Sequence, residues 1–438
     1  MIFSGETDKQ DLRKAKNKPK KKLLIFAHYY VPDTASTGQI LRELAEGMLD
    51  TFDITVICVV PSYLGTIAPE YKTKKYYKEN INGVKVLRVR VNEFDKENKK
   101  SRVKNILSYF FRALKSTSKI GKVDYVLALS QPPILGGLLG VWAKWRKHAK
   151  LVYNIQDFNP EQIMAVDYSK NKLIIKILMV LDKFSCKRSD LVITVGRDLV
   201  DTLKKRFKGK NVPKVACINN WIDENEIYPL PENNPNVQSF KNKYGLDGKF
   251  VIMYSGNIGL YYDLENLFKV IRKFAPGTKT NDGREVVFAF VGAGSVQDKL
   301  VLYKQRHSMD NVIFIPYQNK EDLNFSLNAA DVHWCVNAKG IKGVSCPSKY
   351  YGIASCSKPV IAVLEPGSEI RTLIETTSGG LCCDPGQYDN VERHIQWFIE
   401  NSDTDELKEM GERSHKYLMD NLTKDMSIQK YKHEILNC

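Results

Sequence analysis

Gly340-Ile341-Lys342-Gly343-Val344-Ser345-Cys346-Pro347-Ser348-Lys349-Tyr350-Tyr351-Gly352 is the stretch on which the fold turns. A short apolar run, 332–336, precedes it, a helix-like segment ends near Ser357, and a second apolar run, 359–363, follows. Strand, glycine-punctuated loop, helix, strand is the βαβ pattern, and its first loop faces a ligand at the carboxyl edge of the sheet. This loop is expected to bring backbone N–H groups, a helix N-terminus and Lys349 to one place, which suits an anion, most simply a phosphate. An ordinary turn beside a solvated lysine is the alternative.

Outward from this stretch the same pattern repeats. The run 250–254 leads into Ser255-Gly256-Asn257-Ile258-Gly259, then a helix with Leu264, Leu267, Phe268 and Ile271 on one side. The run 286–291 leads into Gly292-Ala293-Gly294, and 312–315 into Pro316-Tyr317. Earlier, 23–27, 54–60, 84–91, 125–129, 151–155, 191–195 and 215–218 read as strands. Apolar runs without alternation are expected of parallel strands buried on both faces. Helical periodicity lies between them, in Leu41, Leu44, Ala45 and Met48, around 106–114, over 134–147, and in Ile174, Ile175, Leu178 and Leu181 on one face. The prolines and asparagines of 228–247 read as a linker.

The predicted fold is α/β, two Rossmann-like doubly wound domains facing across a cleft. The domains are 23–227 and 249–405, joined by a linker at 228–248. A basic arm, 1–22, precedes them, and helices in 406–438 pack back towards the first domain, with Ile428, Tyr431 and Ile435 on one face.

At 438 residues the chain exceeds one typical core. A hydrophobic content of 43% with 26% charged residues is that of a globular protein. No apolar run reaches the roughly 18 residues of a spanning helix, and the first 22 residues hold no apolar signal core. Nine scattered cysteines without a CxxC pair argue for a reducing compartment and against a zinc site. A cytoplasmic chain is predicted. The net charge of +16 points to an anionic membrane surface, which attracts each Lys or Arg by about 1 kcal/mol. Nucleic acid is not expected as a partner, because no reading motif accompanies the charge. Lysine-rich composition alone is the bland account. Trp142 and Trp145, beside Lys144, Arg146 and Lys147, fit either an interfacial helix or core packing with a dipole-matched end; the second is preferred.

Ser36-Thr37-Gly38 opens a helix after the first strand, where a phosphate would be welcome. Asp157 and Glu161 leave the strand 151–155, at an edge where chemistry usually sits. A place for Glu161 in the first turn of a helix is its structural alternative. His28 reads as structural rather than as a base, and Asp403-Thr404-Asp405 as a helix cap.

Together these segments resemble a GT-B glycosyltransferase. More narrowly they resemble the retaining group often called family 4, in a branch that includes WbuB-like polysaccharide enzymes. The resemblance rests on the Gly256, Gly292 and Pro347-Ser348-Lys349 segments, with Gln156-Asp157-Phe158-Asn159-Pro160-Glu161 and Asn219-Asn220-Trp221-Ile222-Asp223, and covers roughly 23–399. It implies transfer of a sugar from a nucleotide diphosphate-sugar donor, with retention, to a lipid-linked or saccharide acceptor in cell-surface polysaccharide biosynthesis. It implies no metal and no cofactor, and attachment to the inner face of the cytoplasmic membrane. Asp157 and Glu161 take the catalytic positions. Gly38, Arg197, Gly256, Asn257, Gly259, Gly292, Gly294, Tyr317, Pro347, Ser348, Lys349 and Glu369 are the expected donor-binding residues. The family's E-x7-E glutamates are replaced by Val344 and Gly352, so Glu369 is the expected ribose partner. Asn257 stands where the family has an arginine, leaving the diphosphate to Lys349, with Arg197 next in line. A nucleotide-sugar 2-epimerase of the same architecture is one alternative, to be separated by product analysis without acceptor. A non-catalytic basic binding protein is the other.

Overall fold

In the computed structural model, which describes residues 19–33, 36–95, 98–165 and 171–438, the apolar runs are strands. They are β1 Lys21–Phe26, β2 Phe52–Val59, β3 Tyr76–Ile81, β4 Val84–Val89, β5 Tyr125–Leu129, β6 Lys150–Ile155, β7 Leu191–Thr194 and β8 Val215–Cys217. A second set follows: β9 Lys249–Ser255, β10 Glu285–Val291, β11 Val312–Ile315, β12 Val332–Val336, β13 Val360–Val363 and β14 Gly380–Cys383. The first set forms a sheet of order β3-β4-β2-β1-β5-β6-β7-β8, the second a sheet of order β11-β10-β9-β12-β13-β14. Neighbouring strands pair in parallel from β4 to β6 and throughout the second sheet, and β3 pairs antiparallel with β4. That edge hairpin turns at Asn82-Gly83, both at positive φ, a turn chemistry visible in the sequence and absent from the predicted strands.

The chain divides into two compact units. One holds the described residues up to Asn154 with Phe184–Val192 and Lys432–Cys438; the other holds Ile155–Lys183 and Ile193–Tyr431. Segments 155–183 and 193–227, assigned from sequence to the first domain, thus group with the second unit. In the first unit Lys432 pairs with Asp50 at 2.7 Å. The predicted arm falls mostly on residues 1–18, outside the described residues, and Lys21 and Lys22 already belong to β1.

The second sheet is buried on both faces, as a doubly wound sheet must be. Phe250, Ile252, Tyr254, Phe288, Phe290 and Trp334 face one layer, and Val251, Met253, Val287 and Ala289 the other. The expected linker is not bare connection. Pro235–Lys243 is a helix whose Asn234 side chain accepts from the Asn236 and Val237 N–H groups, and its Val237 and Phe240 join the second layer.

Two helix readings change. Over Leu135–Lys147 the buried side is made by Gly136, Gly137, Leu139, Gly140, Val141 and Ala143, which leaves Trp145 75% exposed. The preferred core-packing reading of the tryptophans therefore fails. Over Lys172–Arg188, Ile174 is 49% exposed instead of buried.

Candidate functional site

Every strand of the second sheet runs parallel, so the loops after β9, β10, β12 and β13 share its carboxyl edge. Two glycine turns meet there. Gly256 (φ +141) and Gly292 (φ +132) adopt conformations that L side chains avoid. The Gly256 N–H donates to Val291 O, and the Gly292 N–H to Ile315 O, both at 2.9 Å. A Cβ on Gly292 would lie 2.1 Å from Gly256 O, and one on Gly294 would lie 2.2 Å from Ile258 O. The two loops therefore touch backbone to backbone, and only glycine permits it. Asn257 lies between them, and the missing Cβ of Gly259 would meet its amide. Tyr317, 66% exposed, follows β11 on the same edge.

Lys349 begins the helix Lys349–Ser355 and reaches into this corner. Its Nζ sits 3.7 Å from the Tyr262 ring centroid and 5.0 Å from that of Tyr254. A Cβ on Gly256 would lie 2.5 Å from its Cε. Among the described residues no carboxylate forms an ion pair with it. Cation–π contacts of this kind, worth about 0.5–2 kcal/mol, steady an ammonium without neutralising it. Lys349 is thus a held cation, beside the half-buried Gly256 backbone, that no carboxylate among the described residues neutralises. Tyr262, which the sequence reading did not single out, supplies the platform; its only signal was the aromatic pair Tyr261-Tyr262 just after the first glycine turn.

The loop ahead of Lys349 behaves differently from expectation. The Gly340 and Lys342 N–H groups both donate to Glu365 Oε2, at 2.9 and 3.0 Å. The Gly343 N–H donates to Asp198 Oδ2 at 2.8 Å. Those donors are occupied by the chain's own carboxylates, so they form no phosphate cradle. Pro347 and Ser348 lead into the helix, and Ser348 makes no side-chain cap bond. Gly352 is buried, and a Cβ there would lie 3.2 Å from Leu327 Cδ1, a tight contact that a glutamate at this position would have to push aside.

Glu369 starts the helix Glu369–Thr377 and is 3% exposed. Its Oε2 accepts from the Arg197 N–H and Nε, both at 2.8 Å, and Oε1 accepts from Arg197 Nη2 at 3.2 Å and Asn219 Nδ2 at 3.0 Å. A carboxylate offers about four acceptor sites, and all four are taken. Glu369 is therefore no open partner for ribose hydroxyls, which corrects the sequence reading; it fixes Arg197. The hydrogen bond to Glu369 raises the Arg197 pKa, and the arginine side chain remains 60% exposed, open to a ligand on its outer edge.

Asp157 and Glu161, both placed at catalytic positions by the resemblance, part company. Asp157 bridges to Ser345 through the backbone, its neighbour Phe158 donates to Val344 O at 2.8 Å, and Asp157 takes a hydrogen bond from Ser345. Loss of water around Asp157 raises its pKa, and the Ser345 bond opposes the rise only in part. Glu161 is held by Arg206, whose Nε donates to Oε1 at 2.5 Å and whose Nη2 pairs with Oε2. Arg206 also pairs with buried Asp182, donates to Asn159 O at 2.8 Å, and lies 4.3 Å from the Phe158 ring centroid. Burial works against its charge, but the two carboxylates outweigh it and its pKa is raised. Glu161 is thus a structural anchor of the loop that carries Asp157, not a reacting group. Arg206 escaped the sequence reading because, after Lys204 and Lys205, it looks like an ordinary basic helix end.

Gly38 and His28 lie in the first unit. A Cβ on Gly38 would lie 3.3 Å from Tyr29 O and 3.6 Å from Tyr30 Cα, so that glycine admits the chain's own backbone. His28 is buried between the Tyr29 and Tyr109 rings, and burial lowers its pKa to about 3. It stays neutral. In the second unit, Asp405 of the sequence Asp403-Thr404-Asp405 begins the helix Asp405–Asn421 on its positive end, but Thr404 makes no cap bond.

Residues 236–417 match the family described as glycosyl transferases group 1. WbjE of Pseudomonas aeruginosa, named as a glycosyltransferase, is 26% identical over 355 residues, covering 77% of this chain and 82% of that protein. WcaI of Escherichia coli, named as a colanic acid biosynthesis glycosyl transferase, is 23% identical, covering 83% of this chain and 88% of its own. The crystal structure of HepE from Anabaena in complex with UDP-glucose superposes with a TM-score of 0.66 at 15% identity, over 95% of this chain and 99% of that one. The fold is GT-B, and the matched segment and relatives support a glycosyltransferase.

Proposed function

We propose that this chain transfers a sugar, with retention of configuration, from a nucleotide diphosphate-sugar to a lipid-linked or saccharide acceptor in polysaccharide biosynthesis. One observation carries the reading: the Lys349 ammonium, held over Tyr262 and beside the Gly256 and Gly292 turns, is an uncompensated charge where backbone can approach a ligand closely. A diphosphate is the anion such a corner fits, and it gains charge as the glycosidic bond breaks. Donors fixed in place before reaction stabilise that charge without reorganising. The UDP-glucose bound to HepE, and the group 1 match over the residues that build this corner, support the same assignment.

Arg197, anchored by Glu369, is the second cation of the site. Asp157, whose pKa burial raises, orients the acceptor or the sugar through its carboxylate. Positioning of a bound hydroxyl can lower a barrier by several kcal/mol without a covalent step. No metal takes part in this reading, so addition of a strong chelator should leave the transfer rate within twofold. A rate abolished by the chelator and restored by a divalent cation would contradict it. The chain would act at the inner face of the cytoplasmic membrane, where a lipid-linked acceptor is presented.

The ionised form of Asp157 gives a pH signature. Because burial raises its pKa, the acid limb of kcat/KM should fall above the ordinary carboxylate value of 3.8. Asp157→Asn should flatten that limb and lower the plateau. An unchanged limb in the variant would exclude Asp157 as its source. The functional reading itself is tested by incubating the purified chain with a panel of nucleotide diphosphate-sugars and measuring protection against thermal unfolding. A bound donor raises stability by mass action, by about 2.7 kcal/mol at a hundredfold excess over Kd.

A further inference from the structure

The helix Lys172–Arg188 carries the sequence KLIIKILMVLDKFSCKR, more apolar than a surface helix needs. Leu173, Ile177 and Val180, at i, i+4 and i+7, form one stripe, and they are 68%, 51% and 60% exposed. Ile174, at its border, is also exposed. The opposite side is fixed inward by Asp182, buried against Arg206. Asp182 is the one carboxylate of the helix, so the outward face bears no negative charge. Lys172 and Lys176 flank the apolar stripe and are exposed. Lys183, on the same flank, donates to Arg206 O at 2.9 Å.

We infer that this helix docks the chain on an anionic lipid surface, lying in the interface with Leu173, Ile177 and Val180 among the acyl chains and Lys172 and Lys176 at the headgroups. An apolar stripe edged by lysines is the composition of an in-plane helix. A second copy of the chain is a poor occupant, because a twofold contact along the stripe would set the same lysines against each other without a carboxylate between them. Docking here rests on the proposed lipid-linked acceptor for its purpose but not for its physics.

Flotation of the full chain with vesicles of phosphatidylcholine, alone or with phosphatidylglycerol, tests the assignment. Binding is expected to the anionic vesicles at low salt and to weaken at high salt. Ile177→Asp with Val180→Asp should reduce it at least tenfold, and Lys172→Gln with Lys176→Gln on the order of tenfold. Both pairs are exposed, so melting temperatures should stay within a few degrees. Undiminished flotation of the aspartate pair would overturn the inference. So would a wild-type dimer in vesicle-free sedimentation that the aspartate pair abolishes, since a second copy would then be the occupant. Donor turnover is assayed on the same proteins without lipid. Its absence in a wild type that still floats would count against the transferase reading alone.

Discussion

Replacing Lys349 by alanine is expected to lower kcat/KM for transfer by on the order of 30- to 1000-fold, equivalent to about 2–4 kcal/mol of transition-state stabilisation. The direction follows from the charge balance of the corner. Lys349 faces rings and glycines rather than a carboxylate, so its charge is available to a departing diphosphate. The loss should appear in kcat as well as in donor affinity, because the leaving group becomes more negative along the reaction. Lys349→Arg should recover only part, since a guanidinium can stack on Tyr262 but offers the phosphate oxygens a planar fork in place of a compact ammonium. Stability without ligand is the control. The removed contacts are cation–π contacts of modest worth, so the melting temperature should move little. Kinetics within threefold of wild type would make Lys349 a bystander and leave Arg197 as the cation to examine.

Arg206→Ala should be the most damaging single change to the fold around Asp157. It strands Glu161 and Asp182, both largely buried, without a counter-charge, and removes the donor to Asn159 O. Breaking a buried pair from one side costs about 3–5 kcal/mol. At roughly 2–4 °C per kcal/mol for a unit of this size, the melting temperature should drop by about 6–20 °C. Removing all three charges together, as Arg206→Met with Glu161→Met and Asp182→Leu, should restore most of that loss. The penalty comes from uncompensated charge rather than from the worth of the network. In Arg206→Ala molecules that remain folded, transfer should suffer more than donor affinity, because the loosened loop carries Asp157 and not Lys349. A melting temperature within 2–3 °C of wild type, about 1 kcal/mol on the same scale, would show that the triad does not hold the loop.

The sheets were legible because parallel strands buried on both faces must be largely apolar, and of the twelve predicted strands only 84–91, with Lys85, Arg88 and Arg90, alternates. The two missed strands lack a long apolar run. β3 is a polar edge strand, and β14 begins at Gly380 with three half-buried residues before Cys383. The glycine turns were legible for a local reason: positive φ and backbone contact leave no other residue type. The remainder of the site depends on partners far apart in the chain. Nothing near Glu369 announces that Arg197, 172 positions earlier, fills its carboxylate. Gly343 likewise gives no local sign that Asp198 takes its N–H. Residue type showed which groups can bind an anion; only the tertiary contacts showed which are already bound. The same holds for Glu161, whose chemistry suits catalysis and whose partner, Arg206, removes it from consideration.

The central claim is that the corner around Lys349 binds the diphosphate of a sugar donor and releases it on transfer. Single-turnover release of nucleoside diphosphate from each member of a nucleotide-sugar panel, with a lipid-linked saccharide acceptor in detergent, measures it most directly. The account predicts release with at least one donor and formation of a product of unchanged anomeric configuration, with Lys349→Ala slowed at least 30-fold at saturating acceptor. Release that is equally fast in Lys349→Ala, or no release from any donor that the chain binds, would contradict it.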